Sequence, residues 1–322
     1  MYSLRINRWC IGAGMWMTAA AIILALFLLP ACVNAHQDEE NTLEQQDLTN
    51  LDIEDLLNIN VTAASKKIER TSDAPASVTV ITHDQIERYG YRNLQDALRS
   101  VVGLYASTDL NYGFLGVRGY AMPGDFNTRV LLLIDGVRIN DPMYNQVPID
   151  EDVPLDIRSV ERIEIVKGPG SALWGSNAVL AVINLITRKA NDVQYNRLAQ
   201  SVGTNENYES FFEFHDDSSD KFQFAGSVTN MGSDGLHSIY FPEFDSPDTN
   251  NGIAKNVDGE SAQRGYLSCS YGKLKMLFNA GDRRKDIPTA IYDTEFNQPG
   301  VWTDDYRSVM SLCYETKCSA KR

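Results

Sequence analysis

Beyond Ala190 several segments place apolar side chains at every second position, and that period decides what they can fold into. Phe222, Phe224, Gly226 and Val228 fall on one face of an extended segment, and Leu274, Met276, Phe278 and Ala280 fall on one face of another. A period of two selects strands, because successive side chains of a strand point to opposite faces. Segments 208–215, 221–230, 263–271, 274–283 and 306–316 all have strand length. Turns such as Asp216-Asp217-Ser218-Ser219, or longer polar loops, separate them. Spans of about 10 residues with apolar and aromatic side chains facing one way suit a transmembrane β-barrel. A soluble β-sandwich shows the same alternation, so this half alone leaves both open.

Residues 72–190 have a different texture. Val78-Thr79-Val80-Ile81 is a short strand, Thr82 or Asp84 caps the helix after it, and Gly90 stops that helix. Asn93 caps a second helix whose Leu94, Ala97, Leu98 and Val101 share one face, closed by Gly103. Residues 113–120 are strand-like. The plainest local signal is Val130-Leu131-Leu132-Leu133-Ile134, a buried strand, followed by the two-residue turn Asp135-Gly136 and the return Val137-Arg138-Ile139. Segments 160–166 and 181–187 supply two more strands, so a mixed sheet with helices packed on it is expected.

The start of the chain carries an export signature. Arg5 and Arg8 precede an apolar run over residues 11–29, Pro30 ends it, and Val33-Asn34-Ala35 offers the small residues a signal peptidase reads, with cleavage expected before His36. An uncleaved anchor and a lipoprotein box at Leu29-Pro30-Ala31-Cys32 are the competing readings. Residues 36–50 are acidic and lack an apolar period, the pattern of a linker. Ile59-Asn60-Val61-Thr62-Ala63-Ala64-Ser65 is then a β-branched patch suited to adding itself to another sheet's edge, with its backbone groups free to pair.

Charge and motif content exclude several classes of function. A net charge of −14 argues against a nucleic-acid partner, since phosphate binding draws on clustered Lys and Arg. Residues 168–176 lack the Lys-Ser/Thr of a phosphate loop, and the four histidines are scattered with no metal-ligand spacing. No Gly-x-Ser-x-Gly elbow is present, so no catalytic residue, metal or cofactor is expected. Asp150, Glu151, Asp152 and Asp156 lack the alternating pattern of a Ca²⁺ loop and read as a solvated charge run. Cys313 and Cys318 are close enough to bridge locally, and unpaired thiols are the alternative.

Four blocks in order resemble the plug of TonB-dependent outer-membrane receptors. They are Ala74-Pro75-Ala76-Ser77-Val78-Thr79-Val80-Ile81-Thr82 leading to Leu94-Gln95-Asp96-Ala97-Leu98; Gly116-Val117-Arg118-Gly119; Val130-Leu131-Leu132-Leu133-Ile134-Asp135-Gly136-Val137; and Val160-Glu161-Arg162-Ile163-Glu164-Ile165-Val166-Lys167-Gly168-Pro169-Gly170, closing with Val182-Ile183-Asn184. The resemblance implies an α+β plug domain, a mixed sheet with short helices, followed by antiparallel β-strands of a transmembrane β-barrel. It implies energised uptake of a bulky nutrient, a ferric siderophore, haem or cobalamin, with the TonB energy transducer as partner and the outer membrane as location. Ile59, Asn60, Val61, Thr62 and Ala63 look like the TonB box, and Arg118 and Arg162 look like partners for barrel-wall carboxylates. Ligand contact is expected on plug loops, at Asn111, Tyr112, Met122, Phe126, Asn127, Tyr144 and Asn145.

The expected layout is a signal peptide over 1–35, a linker with the TonB-box-like segment over 36–71, a plug over 72–190 and barrel strands over 191–322. Two departures stand out. Val179-Leu180-Ala181 replaces the family's glycine-rich stretch, and the roughly 130 residues after Ala190 suffice for about six strands where such barrels have about 22. With the ending Ser319-Ala320-Lys321-Arg322, this predicts an incomplete barrel: a fragment, a truncated product or a frameshifted tail after about Ser311. The alternative to a receptor is a free periplasmic plug-like module, or a nonfunctional fragment, that binds transducer or ligand without transport.

Overall fold

The computed structural model describes residues 60, 61, 63, 69–70, 76–121, 124–193, 195–219 and 221–314. The export segment, the acidic linker, Ile59, Thr62, Met122 and Cys318 lie outside them.

Two short strands come first, β1 (Asn60–Val61) and β2 (Glu69–Arg70), paired antiparallel. β3 (Ser77–Thr82) runs into α1 (His83–Tyr89), where Thr82 and Gln85 form a reciprocal capping box and Gly90 ends the helix. In α2 (Leu94–Arg99) the Asn93 side chain accepts from the Asp96 N–H at 3.0 Å. Leu94, Ala97, Leu98 and Val101 are all buried, as the periodicity predicts. The hairpin of β4 (Leu104–Thr108) and β5 (Gly113–Val117) follows, and β4 is a strand the pattern did not announce.

β6 (Val130–Ile134) and β7 (Val137–Arg138) form the expected hairpin. Asp135 and Gly136 have φ of 48° and 78°, the two positive values that make a two-residue turn match strand twist. β8 (Val160–Lys167), the single-turn α3 (Ser171–Trp174) and β9 (Ala181–Thr187) complete the unit. The sheet order is β3-β8-β9-β6-β7, with only β6 and β9 parallel. β9 forms although Val179 and Leu180 stand where glycines were expected, because the Val179 and Leu180 N–H groups both reach the Arg129 carbonyl and the Val179 side chain turns outward.

Both faces of this sheet are covered, which is why its strands read as unbroken apolar runs. Leu132, Ile134, Ile163, Ile165, Ile183 and Leu185 pack with the helices and with Tyr266 and Leu277 of the later strands. Leu131, Leu133, Val166 and Val182 form a second cluster with Ala178, Ala63 and Trp174.

The remaining chain is an antiparallel wall. β10 (Arg197–Val202), β11 (Tyr208–Asp216), β12 (Phe222–Ser233), β15 (Glu260–Tyr271), β16 (Leu274–Asp286) and β17 (Trp302–Tyr314) pair in chain order as an open six-stranded sheet. The small hairpin of β13 (Ser238–Tyr240) and β14 (Ile253–Lys255) sits in the loop between β12 and β15.

The register puts Leu198, Phe212, Val228, Leu267, Phe278 and Met310 on the outer face, with Leu274 and Met276 below Phe278 and Tyr271, Phe222 and Tyr314 at one rim. Above this band the same face becomes Asp282, Arg284 and Asp286 on β16. From Leu274 to Ala280 the band runs roughly 20 Å along the strand at ~3.3 Å per residue, a stretch of the kind that forms the apolar belt of an outer-membrane barrel. Short turns join β11 to β12 and β15 to β16 at the aromatic rim, and the long loops 234–259 and 287–301 lie at the other end. Cys269 and Cys313 are both free thiols.

Candidate functional site

The inner face of the wall is polar and meets the plug in horizontal rows fixed by strand register. One row carries Glu213, Ser227, Tyr266 and Asn279, the next Phe211, Thr229, Arg264, Gly281 and Arg307, and the next Glu209, Ala262, Arg283 and Asp305. Gly281 has to be small: a Cβ there would lie 3.0 Å from the Pro154 Cα. The plug backbone therefore presses directly on the wall at this point.

Three charged joints hold the two parts together. In the lowest, Arg188 Nη1 donates to both oxygens of Glu213 at 2.8 and 3.1 Å, and the Tyr266 hydroxyl lies 2.7 Å from Thr187 Oγ1. Thr187 Oγ1 in turn donates to Asp135 at 2.5 Å, so the β6–β7 turn is tied to the wall through one intermediary. In the middle joint Arg158 makes a two-pronged contact to Asp156 at 2.9 and 2.7 Å, pairs with Glu209 and lies 4.3 Å over the Phe211 ring. Burial pushes the Asp156 carboxyl up, but the bonds from Arg158 and the nearby Arg264 outweigh it and hold it below the ordinary range. Thr229 donates to the same carboxylate at 2.7 Å.

The upper joint is built on the acidic run. Arg264 donates to the Glu151 carbonyl at 2.9 Å and pairs with its carboxylate, Arg307 lies 3.8 Å from Asp152, and Arg283 donates to the Asn111 carbonyl at 2.7 Å. The run is thus not solvated, contrary to the expectation from its spacing. Asp152 and Asp156 are buried; Asp156 is held by its neighbour Arg158, whereas Asp152 faces Arg307 and Glu151 pairs with Arg264, arginines more than a hundred residues away that no local pattern could reveal. Asp150 is pushed up to about 7, by burial first and then by repulsion from Glu151, Glu260 and Asp152. Arg264 Nε, Arg283 Nη1 and Arg307 Nε lack a hydrogen-bond partner among the described residues, so the contact is rich in charge but incompletely satisfied.

Sequence reasoning named Arg118 and Arg162 for wall contacts, and the structure brings neither to a wall carboxylate among the described residues. Arg162 reaches Glu164 on its own strand at 2.9 Å, because positions two apart share a strand face, and that face points away from the wall. Arg118 is exposed, with φ of 50°. The plug arginines that do touch the wall, Arg158 and Arg188, stand at the same end of the β8–β9 pair, just before Val160 and just after Thr187.

The residues expected to face ligand are in mixed settings. Asn111 is buried, and its side-chain oxygen accepts from Thr303 at 2.8 Å, so it belongs to the joint with the wall. Asn127 is a buried staple, bonding the Leu115 N–H and the Gly113 and Val147 carbonyls. Tyr112 and Phe126 meet edge-on at 5.8 Å, with the Tyr112 hydroxyl donating to Asp305 at 3.2 Å. Tyr144 is 70% exposed, and Asn145 accepts from Arg138 at 3.1 Å. The sequence reading missed Leu110, which packs on Phe241, Ala254, Val257 and Phe296 of the long wall loops. The aromatic content of those loops was the available signal.

The β-branched patch read as suited to adding itself to another sheet's edge is docked rather than free at Val61 and Ala63. Val61 and Ala63 are each 1% exposed. The Ala63 N–H donates to Glu164 Oε2 at 2.9 Å, and Trp174 Nε1–H donates to the Ala63 carbonyl at 2.8 Å. The free backbone expected of this stretch is therefore occupied at Ala63.

Comparison with known proteins agrees with this geometry. Residues 70–182 match the family described as TonB-dependent Receptor Plug Domain. The vitamin B12 transporter BtuB of Vibrio vulnificus is 31% identical over 160 residues, 47% of this chain and 24% of that protein. The iron-regulated outer membrane virulence protein of Vibrio cholerae is 33% identical over 133 residues, 40% of this chain and 20% of that protein. The match therefore spans about a quarter or less of these relatives' length. Among solved structures, the ferric yersiniabactin uptake receptor FyuA of Yersinia pestis superposes with a TM-score of 0.53 at 20% identity, over 76% of this chain and 39% of that one. The ferric preacinetobactin receptor BauA of Acinetobacter baumannii gives 0.50 at 15%, over 70% and 30%. Residues 70–182 thus match a TonB-dependent receptor plug domain, and the fold of that unit with the antiparallel strands after it is similar to that of FyuA.

Proposed function

We propose that this chain acts in the energised uptake of a bulky nutrient, a ferric siderophore, haem or cobalamin, across an outer membrane. The observation that carries the reading is the wall: apolar outward over roughly 20 Å, polar inward, and joined to a plug by buried ion pairs. Such a sheet is built for lipid on one side and a plug on the other. The match to the plug-domain family over residues 70–182 and the names of the relatives support the same location.

In this reading residues 1–35 direct export, residues 36–71 carry the segment Ile59 to Ala63 that the transducer takes up by β-augmentation, residues 72–190 close the pore, and residues 191–322 contribute to its wall. Ligand contact on the plug is assigned in this reading to Tyr112, Phe126, Tyr144 and Asn145. The charged joints would let the plug shift without leaving: buried ion pairs bring little net stability, yet breaking one is costly.

The test is direct. The purified periplasmic domain of TonB is titrated against the protein, and growth on cobalamin or a ferric siderophore as sole source is followed in cells lacking their own receptor. Binding that is lost when Val61 is replaced by proline supports the reading. A soluble periplasmic protein that binds the domain without supporting growth would favour the plug-like interaction module.

A further inference from the structure

The two bonds on Ala63 use its N–H and its C=O, the groups through which a strand adds to a foreign sheet edge. A main-chain N–H and a carbonyl engaged by the plug must be released before Ala63 can pair with a partner's edge. Glu164 is fully buried, and its other oxygen accepts from Arg162 Nε at 3.0 Å, so the carboxylate that holds Ala63 is itself fixed in place. Trp174 is delivered by α3, and its indole packs with Ala63, Ala178, Val166 and Val182. The Ala63 side chain is 1% exposed in one cluster with Leu131, Leu133 and Val182.

We propose that Glu164 and Trp174 form a two-point clamp on the Ala63 peptide that competes with the transducer for the same backbone groups and sets how readily the coupling strand is released. This rests on reading residues 59–63 as the transducer-binding strand. The clamp acts on main chain, so it tolerates sequence change in the strand but not loss of its own acceptor or donor. Glu164 and Trp174 are positioning residues, acting through the strand they hold.

The test introduces Val61→Cys into the full chain with its five native cysteines replaced by serine, and follows maleimide labelling of the new thiol. Trp174→Phe removes one donor while keeping an aromatic ring, and is expected to raise the labelling rate about tenfold; adding Glu164→Gln should raise it about a hundredfold. A separate control carries Ala97→Cys instead, at a position fully buried in the other core, and its thiol should stay protected throughout. If the control thiol is also labelled faster in the double variant, the plug has loosened as a whole. The single change Trp174→Phe then decides, and no acceleration at position 61 there overturns the clamp. Unchanged labelling at position 61 in the double variant also overturns it. Titration with the TonB periplasmic domain separates the two ideas. Faster labelling without any binding keeps the clamp and removes the coupling role, whereas binding with unaltered labelling keeps the coupling role and removes the clamp.

Discussion

Replacing Arg264 by Met tests whether the charged joints hold the plug. Its side chain is 6% exposed and pairs with a Glu151 side chain that is 16% exposed, while the same guanidinium donates to the Glu151 carbonyl. Removing one member of a buried pair costs about 3–5 kcal/mol, because the remaining charge keeps its desolvation penalty and loses its partner. Partial exposure of Glu151 puts the expected loss near the lower end, about 3 kcal/mol, a factor of roughly 150 in the docked population. Adding Glu151→Gln removes the stranded charge and should restore all but about 1 kcal/mol, since a pair replaced by neutral groups of similar volume is close to neutral. The assay is denaturant unfolding followed by Trp174 fluorescence, in a background where Trp9, Trp16 and Trp302 are replaced by phenylalanine. A coupling of at least about 2 kcal/mol between the two changes is expected, since Glu151→Gln alone also strands a charge, that of Arg264. If the two effects add to within about 0.5 kcal/mol, the joint is not an energetic unit and the reasoning is wrong.

Three further outcomes follow from the same geometry. Asp150 has a folded pKa of about 7 against an ordinary 3.8, so its contribution is fully present below about pH 4 and is lost as pH rises through 7. Asp150→Asn should therefore stabilise the plug by about 1–2 kcal/mol at pH 8 and flatten the dependence between pH 4 and 7, read as Tm against pH. Gly281→Val would push a side chain onto Pro154 and should cost about 1–3 kcal/mol of plug docking, seen as faster protease cleavage of the plug with the wall strands intact. Phe278→Arg places a charge in the outer apolar band and should cost about 2–4 kcal/mol in refolding into lipid vesicles; no cost would argue against a lipid-facing wall.

Much of the fold was legible because it is written in short-range rules. The capped helices α1 and α2, the Asp135-Gly136 hairpin and the faces of β12 and β16 all follow from spacing and turn chemistry within a few residues. The weakest local signals were β4 and β10, short strands with mostly exposed side chains and little alternation, so they escaped notice. Asn111 and Asn127 show the limit on the site: both were chosen as adaptable loop residues, and burial turned one into a wall contact and the other into a staple.

What the sequence determined by itself, then, is the list of elements and which side of each is apolar, since periodicity, caps and turns act locally. Which charges meet was decided only by the tertiary structure. The acidic run at 150–156 has the same local pattern whether it faces water or Arg264, Arg283 and Arg307, and only the register of β15, β16 and β17 brings those arginines to it. Ala63 likewise gains its partners from elements a hundred residues on. Coulomb and hydrogen-bond energies depend on distance and burial, and neither exists until the chain has folded.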